Sequence, residues 1–172
     1  MKYSSIILLV CLLFGACKTK VDKASLYNTE ASFTKDDSLP FNPLEWPVIT
    51  TVMNTKKHTM STLYGNEIAL AHARDSANQY YPPGSVLCLV TWAQQEDKHW
   101  FGANIPKKIQ SIEVATFDSA NGERYTNYQG TPLREYLTVK MRDLPLISDI
   151  HKTTLASERM AYIIGQRMLV VP

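Results

Sequence analysis

The stretch that decides the fold is Ser85-Val86-Leu87-Cys88-Leu89-Val90-Thr91-Trp92, an almost unbroken run of apolar and β-branched residues. Such residues favour extended backbone because their side chains pack well on a pleated surface. Neighbouring residues of a strand point to opposite faces, so a run that is apolar at both parities predicts a strand buried on two faces. The sequence therefore predicts a central strand over residues 85–92, with Cys88 as a small core residue.

Further strands are predicted on both sides of this one, wherever apolar and β-branched residues cluster between turn signals. They cover residues 48–52, 112–117, 124–128 and 137–141. The dipeptide Asn121-Gly122 is typical of a hairpin turn between two of them. Consecutive strands joined by short turns favour an antiparallel sheet. The predicted fold class is therefore α+β, a mainly antiparallel β-sheet with a few packed helices.

Two helices are predicted, one on each side of the main group of strands. The first covers residues 66–77, because Asn66 is a suitable N-cap and Glu67 places a negative charge in the first turn. The second covers residues 149–164 and has three apolar residues at helical spacing. These are Ala156, Met160 and Ile163. A short apolar tail, residues 168–171, is expected to pair at a sheet edge.

The start of the chain has the pattern of a bacterial export signal. Lys2 precedes an apolar run that is too short to cross a bilayer, since a spanning helix needs ~20 apolar residues. Gly15-Ala16-Cys17 follows, where small residues fit a peptidase pocket and the Cys17 thiol can carry a lipid. This resembles the bacterial lipobox, with Phe14 where that motif usually has leucine. The alternative is an ordinary secretory signal that ends beside a cysteine.

The expected organisation is a lipoprotein signal peptide over residues 1–16, a flexible tether over 17–43 and one domain over 44–172. Cleavage would leave 156 of the 172 residues and, with Lys2 removed, a net charge of +1. Lys18 follows the lipidated cysteine, and resemblance to the lipoprotein sorting rule then predicts the outer membrane of the cell envelope, facing the periplasm. The sequence has no basic block with interleaved aromatic residues, so no nucleic-acid partner is expected.

The cysteines exclude several classes of site. Cys11 would leave with the signal and Cys17 would carry the lipid, so Cys88 remains alone. One thiol cannot form an intrachain disulfide, a Cys-x-x-Cys-His haem attachment or a thiolate zinc site. No metal site is predicted, and no cofactor motif is present.

The densest group of polar and aromatic side chains lies in residues 92–102. Glu96 and His99 are three positions apart, so a helical turn would bring both to one metal or one substrate. Two ligands are few for a metal, whereas a carboxylate beside a histidine suits acid–base chemistry. The alternative is a polar turn in which Trp100 and Phe101 plug the sheet.

The other histidines are weaker candidates. His72 shares a helix face with Ile68, where a satisfied, half-buried histidine is the simpler interpretation, although a haem ligand is the alternative. His58 and His151 are expected to be solvated. The sequence lacks Gly-x-Ser-x-Gly, a phosphate-binding glycine loop and His-Glu-x-x-His, so hydrolase, nucleotide-binding and metalloprotease functions have no motif behind them.

Several stretches in order resemble the cytochrome P-460 domain family. In that family a Gly-Asn-(Asp/Glu)-x-Ala helix precedes a Pro-x-Gly turn and a buried strand that ends in tryptophan. The matching stretches are residues 63–71, 81–87 and 90–92, and residues 100–103 with Ile105-Pro106 resemble a subgroup. The likeness covers roughly residues 46–140 and depends on order and spacing rather than on one diagnostic motif.

The resemblance implies a mainly antiparallel β fold that holds one haem. Family members attach haem through Cys-x-x-Cys-His near the C-terminus, cross-link a lysine to the ring, and oxidise hydroxylamine or bind nitric oxide in the periplasm. This chain departs from that pattern, because residues 153–159 lack the motif and Leu89 stands where a family lysine would fall. The fold can persist where the chemistry has gone.

Three functional hypotheses follow from the sequence. The first is a membrane-anchored periplasmic lipoprotein whose cytochrome P-460-like domain is a binding or accessory protein without covalent haem; a small-molecule ligand is compatible with it. The alternative is a haem-dependent oxidoreductase of the hydroxylamine or nitric oxide class that holds haem non-covalently, with His99 or His72 on the iron. The third is a structural lipoprotein in which His99 is dispensable.

Overall fold

The computed structural model describes residues 28–74, 80–120, 122–141 and 150–166. These residues form six strands and two α-helices, together with two 3₁₀ turns, Thr29–Ala31 and Pro43–Glu45. The strands and helices, in chain order, are β1 (Val48–Asn54), β2 (Thr59–Gly65), α1 (Glu67–Arg74), β3 (Val86–Glu96), β4 (Asn104–Asp118), β5 (Gly122–Gln129), β6 (Arg134–Lys140) and α2 (Ile150–Gly165).

The six strands form one antiparallel sheet in which each strand pairs with its neighbours in the sequence, in the order β1-β2-β3-β4-β5-β6. The predicted α+β class with a mainly antiparallel sheet is confirmed. The predicted central strand is confirmed as well, since β3 lies between β2 and β4 and Leu87, Cys88, Leu89 and Val90 are all at most 1% exposed.

Two parts of the sheet were not predicted from the sequence. β2 was missed because its residues alternate between polar and apolar over only a few positions, with Ser61 and Thr62 at its middle. The first half of β4 was missed because Pro106, Lys107 and Lys108 interrupt the apolar pattern. The register of β3 against β4 shifts twice beside these residues, and such irregularities let a strand tolerate a proline.

Helix α1 starts as the sequence predicts. The Asn66 side-chain oxygen accepts a hydrogen bond from the Ala69 N–H at 3.0 Å, which is the bond expected of an N-cap. The same side chain donates to the Gly84 carbonyl at 2.8 Å, so it also fixes the turn that leads into β3. The helix is described to Arg74, and the predicted residues 75–77 lie outside the described part of the chain.

The sheet is buried on both faces by two separate cores. On the first face, α1 and α2 cover Leu63, Leu87 and Ala115, among others. The three apolar residues predicted in the second helix are buried here: Ala156, Met160 and Ile163 are at most 2% exposed. On the second face, Cys88, Val90 and Trp92 of β3 pack with residues of β4 and β5. We refer to these as the helix face and the tail face.

The segment before β1 covers the tail face. Leu39 is 6% exposed and Phe41 stacks on Trp46 with ring centroids 4.5 Å apart. Ser38 N–H donates to the Leu133 carbonyl at 3.0 Å. The sequence predicted a flexible tether over residues 17–43. Its described part, residues 28–43, is mostly exposed, but a few apolar side chains such as Leu39 and Phe41 pack on the tail face.

Other predicted features lie outside the described residues: the signal peptide, Cys17 and the tail at 168–171. Within the described ranges, no helix has the length and apolar content needed to cross a membrane. Both cores are made by residues 28–166. A protein that begins at Lys18 therefore retains every described element.

Candidate functional site

The helix face changes from apolar to polar along the strands. Leu87 and Ala115 are cross-strand partners beneath the helices, and the next residues pointing to this face are Leu89 and Glu113, which are also partners. One step further, the partners are all polar: Ser61, Thr91, Ser111 and Gln129. Because residues two apart share a face, this gradient follows directly from the sequence of each strand.

The polar half of the helix face forms a cavity with a volume of about 500 Å³. This lies within the range of roughly 300–1,000 Å³ that small-molecule pockets occupy. Its walls come from all six strands and from the side of α2. The lining side chains include Ser61, Leu89, Glu113, Tyr125, Asn127 and Arg159.

A buried ion pair forms the floor of this cavity. The Glu113 side chain is 5% exposed and accepts two hydrogen bonds from Arg159, Nε to Oε1 at 2.8 Å and Nη2 to Oε2 at 2.6 Å. This is the side-on bidentate geometry that guanidinium and carboxylate groups favour. The pair joins β4 to α2 across the end of the helix-covered core.

Tyr125 completes the hydrogen-bond network, and Asn127 lies beside it. The Tyr125 hydroxyl donates to Glu113 Oε1 at 2.5 Å, so its own oxygen is left to act as an acceptor. Asn127 lies two residues further along β5, so its side chain points to the same face of the sheet as Tyr125. Asn127 Oδ1 is buried and has no hydrogen-bond partner among the described residues.

The network keeps Tyr125 and Arg159 in fixed protonation states. Burial, together with the hydrogen bond to Glu113, raises the pKa of Tyr125 far above its ordinary value. The hydrogen bond to Glu113 also raises the pKa of Arg159. Tyr125 therefore remains a neutral donor and Arg159 a cation at any physiological pH.

The segment predicted to carry chemistry, residues 92–102, is a strand end and a hairpin turn. Glu96 ends β3 and His99 lies in the turn, and both are exposed to solvent, so no helical turn brings them together. Trp100 is 72% exposed and Phe101 110% exposed. The interpretation that these aromatic residues plug the sheet is wrong, because the hairpin extends past the neighbouring strands and has no sheet face to cover.

The other predicted histidines lie apart from the cavity. His72 is half-buried on α1, with its ring centroid 4.4 Å from that of Tyr81, and its Nε2 is buried with no hydrogen-bond partner among the described residues. His58 is exposed in the β1–β2 turn with a positive φ of 50°. The side chain of His151 lies outside the described part of the chain.

Cys88 is a core residue on the tail face and is 0% exposed. Burial raises the pKa of its thiol well above the ordinary value, and the nearby Glu113 charge raises it further. A thiol that stays protonated is neither a good nucleophile nor a metal ligand. Across the described ranges, no group of three or more histidine, cysteine or acidic residues could hold a metal ion.

The fold and the site define an α+β domain, mainly of antiparallel sheet, with one polar cavity beside its second helix. A family model described as Cytochrome P460 matches residues 44–132, which is 89 of the 172 residues and just over half of the chain. The chain therefore belongs to the cytochrome P460 family, as the resemblance indicated. A comparison with curated proteins found no match.

The family implies haem, and the described residues do not fit it. The chain has no Cys-x-x-Cys-His, and Cys88 faces the opposite side of the sheet from the cavity. Among the described side chains that line the cavity there is no histidine, cysteine or methionine to act as an axial ligand. Its floor is a charged pair rather than an apolar surface for a porphyrin.

The residues of the cavity floor were missed in the sequence, although one signal was present. Glu113 stands inside a predicted strand, between Ile112 and Val114, at a position that alternation turns inward. A buried carboxylate requires a partner. Arg159 lies between Ala156 and Met160 of the predicted apolar stripe, so the two charges could have been matched across the sheet–helix interface.

Replacing Arg159 with methionine should lower the free energy of unfolding by about 3 kcal/mol, because Glu113 would stay buried without its cation. The double variant Glu113→Gln, Arg159→Met should lose clearly less, since neither charge remains. Urea denaturation of the protein beginning at Lys18 measures both. Lys140→Met, which removes an exposed cation of β6, is the control. A double variant that loses as much stability as Arg159→Met, or more, would contradict the coupling.

Proposed function

We propose that this chain is a membrane-anchored lipoprotein of the cell envelope whose cytochrome P460 domain binds a small, neutral, polyhydroxylated molecule in the cavity beside α2. It does so without covalent haem. The domain acts as a binding or accessory protein. One observation carries the proposal: an open cavity lined by hydroxyl and amide side chains, in which the buried acceptor Asn127 Oδ1 has no hydrogen-bond partner among the described residues.

The unpartnered oxygen is a reason to expect a ligand. A buried acceptor without a donor costs roughly 1–3 kcal/mol, so most native proteins satisfy such groups. An O–H or N–H group of a ligand would satisfy it. Leu89, which stands where a family lysine would fall, lines the same cavity. By resemblance, the family's haem would lie beside the position of Leu89. In this chain that position faces the open cavity beside α2.

The chemistry of the walls favours a sugar-like ligand. Hydroxyl and carboxamide side chains both donate and accept hydrogen bonds, as the hydroxyl groups of a sugar do. These side chains include Ser61, Thr91, Ser111, Asn127 and Gln129. Tyr136 and Tyr162 add aromatic surface and are 70% and 37% exposed.

The charges favour a neutral ligand over an ion. Glu113 and Arg159 neutralise each other through two hydrogen bonds, so the floor has no net charge. Lys57 lies among the lining residues but is exposed to solvent, where its charge is screened. An anion would have to compete with Glu113 for Arg159.

The same network favours binding over acid–base catalysis. The Glu113 carboxylate already accepts three hydrogen bonds, from Tyr125 and twice from Arg159. About four acceptor sites are available on a carboxylate, so little capacity remains for the free lone pair that a general base needs. The Tyr125 hydroxyl proton is also already used, since it is donated in the hydrogen bond to Glu113. The hydrogen bonds of the floor hold its side chains in fixed positions.

Two sequence features support the membrane anchor. The basic and apolar start of the chain matches an export signal, and Gly15-Ala16-Cys17 matches the pattern at which bacterial lipoproteins are acylated. Lys18 after the cysteine favours sorting to the outer membrane. A domain held there would face the periplasm, where small polar solutes are present.

D-glucose, a neutral polyhydroxylated probe at millimolar concentration, should raise the melting temperature of the protein beginning at Lys18, because a ligand of the native state stabilises it by mass action. D-glucuronate, its anionic counterpart, should have a smaller effect. Asn127→Leu should abolish the response to glucose, whereas Asn104→Leu, at an exposed position outside the cavity, should retain it. A stronger response to glucuronate, or none to either probe, would exclude the proposed ligand class.

Purified without its lipid, the domain should be colourless and should give no stable Soret band after haemin is added, because the described lining of the cavity has no histidine, cysteine or methionine and its floor is a charged pair. The visible spectrum before and after addition tests this. A Soret band that is lost in His99→Ala, or in His72→Ala, would instead support the oxidoreductase with non-covalent haem. A polypeptide mass that includes covalently bound haem would overturn both interpretations.

Cys17→Ala should abolish acylation of the chain, since the substitution removes the only thiol at the predicted cleavage site. Metabolic labelling with a fatty acid measures this, and the wild-type chain should carry the label on the envelope fraction. Cys11→Ala, within the predicted signal, is the matched control and should be labelled normally. Equal labelling of the Cys17→Ala and wild-type chains would rule out the lipoprotein assignment.

A further inference from the structure

The hairpin between β3 and β4 projects beyond the rest of the sheet. The pairing of β2 with β3 ends at Thr59 and Ala93, and the pairing of β4 with β5 ends at Ser111 and Gln129. β3 and β4 continue to pair with each other as far as Glu96 and Asn104. Residues 94–107 therefore form a two-stranded arm, which we call the β3–β4 arm, and Lys108 lies at its base.

The tip of the β3–β4 arm carries two adjacent exposed aromatic residues. Trp100 is 72% exposed and Phe101 is 110% exposed. The turn that presents them is held by internal hydrogen bonds: Ala103 N–H donates to the Trp100 carbonyl at 3.0 Å, and His99 N–H donates to the Asp97 carboxylate at 2.7 Å. A defined turn that points two large aromatic side chains at solvent is typical of a contact surface.

The flanks of the arm are polar and slightly basic. Lys98, Lys107 and Lys108 are exposed, against the two acids Glu96 and Asp97. The Asp97 carboxylate is partly engaged by the backbone of the turn. Aromatic residues at a tip with lysines behind them match the boundary of a bilayer, where tryptophan is enriched and lysine contacts anionic headgroups.

The start of the described chain is attached to the base of the same arm. The Asn28 side-chain nitrogen donates to the carbonyls of Pro106 and Lys107, at 2.9 and 2.8 Å. Cys17 and Asn28 are eleven chain steps apart, and eleven steps span at most about 40 Å. A lipid on Cys17 would therefore keep the base of the arm within that distance of the membrane.

We infer that Trp100 and Phe101 of the β3–β4 arm insert into the interfacial region of the bilayer to which the Cys17 lipid is anchored. The occupant of this surface is the lipid bilayer. The inference rests on the proposed anchor for its location, but the arm makes its contact through its own side chains. Insertion of the arm would fix the orientation of the domain relative to the membrane. A lipid on a polar tether alone cannot do this.

The test uses the protein beginning at Lys18, which has no acyl group and retains the described fold. Vesicles of equal parts phosphatidylethanolamine and phosphatidylglycerol are sedimented with the wild type and with the double variant Trp100→Ser, Phe101→Ser. We expect the double variant to bind at least about tenfold more weakly, since two large apolar side chains no longer leave water. Tyr80→Ser is the matched control, because Tyr80 is 78% exposed and precedes the opposite end of β3.

Every outcome of the vesicle experiment either supports or overturns insertion of Trp100 and Phe101 into the bilayer. Retained binding of Tyr80→Ser with weakened binding of the double variant, at unchanged melting temperatures, supports it. Absence of wild-type vesicle binding, or equal binding by both proteins, overturns it. A wild type that is dimeric in solution and a double variant that is monomeric would also overturn it, since the arm would then contact a second copy. Because no lipid on Cys17 is present, none of these results bears on the acylation of the full chain.

Discussion

The carboxylate of Glu113 imposes the main constraint on this structure. It is 4% exposed in the middle of a six-stranded sheet, where an unpaired charge would cost several kcal/mol. Arg159 must therefore reach it from α2, and the two hydrogen bonds between them set where that helix lies along β4. The apolar core fills one side of this contact, and the polar cavity opens on the other.

A carboxylate at this position also determines what surrounds it. Its oxygens accept from Tyr125 as well as from Arg159, and the Asn127 amide oxygen on the same face of the sheet has no donor among the described residues. An apolar residue in place of Glu113 would remove the need for Tyr125 and Arg159 as partners. The hydrogen-bond network at the floor of the cavity is thus a consequence of a single buried charge.

Much of the fold could be predicted because the relevant signals are local. The unbroken apolar run of β3, the Asn66 cap of α1 and the apolar stripe of α2 each depend on residues close together in the sequence. The α+β class with an antiparallel sheet follows from these elements. β2 and the first half of β4 gave no such signal, because their burial depends on strands that lie elsewhere in the chain.

The site was harder to predict for the same physical reason. Glu113 and Arg159 are 46 positions apart, and neither residue is unusual until the sheet and α2 are placed together. Glu96 and His99 were predicted as a site because they are close in sequence and could form an acid–base pair. Both side chains are exposed on the β3–β4 arm. The same segment has a second notable feature. Its hairpin turn lies beyond both cores, so Trp100 and Phe101 remain exposed to solvent.

Membership of the cytochrome P460 family and the lack of a fitting haem site among the described residues are compatible, because the described fold is held together by its own side chains. Two cores close the sheet on both faces, and α2 is joined to it by the Glu113–Arg159 pair. A domain whose helix is held by its own side chains can lose the residues that attach haem and still keep its architecture. What remains is a polar space beside α2, and its chemistry is set by the strands that line it rather than by the family's reaction.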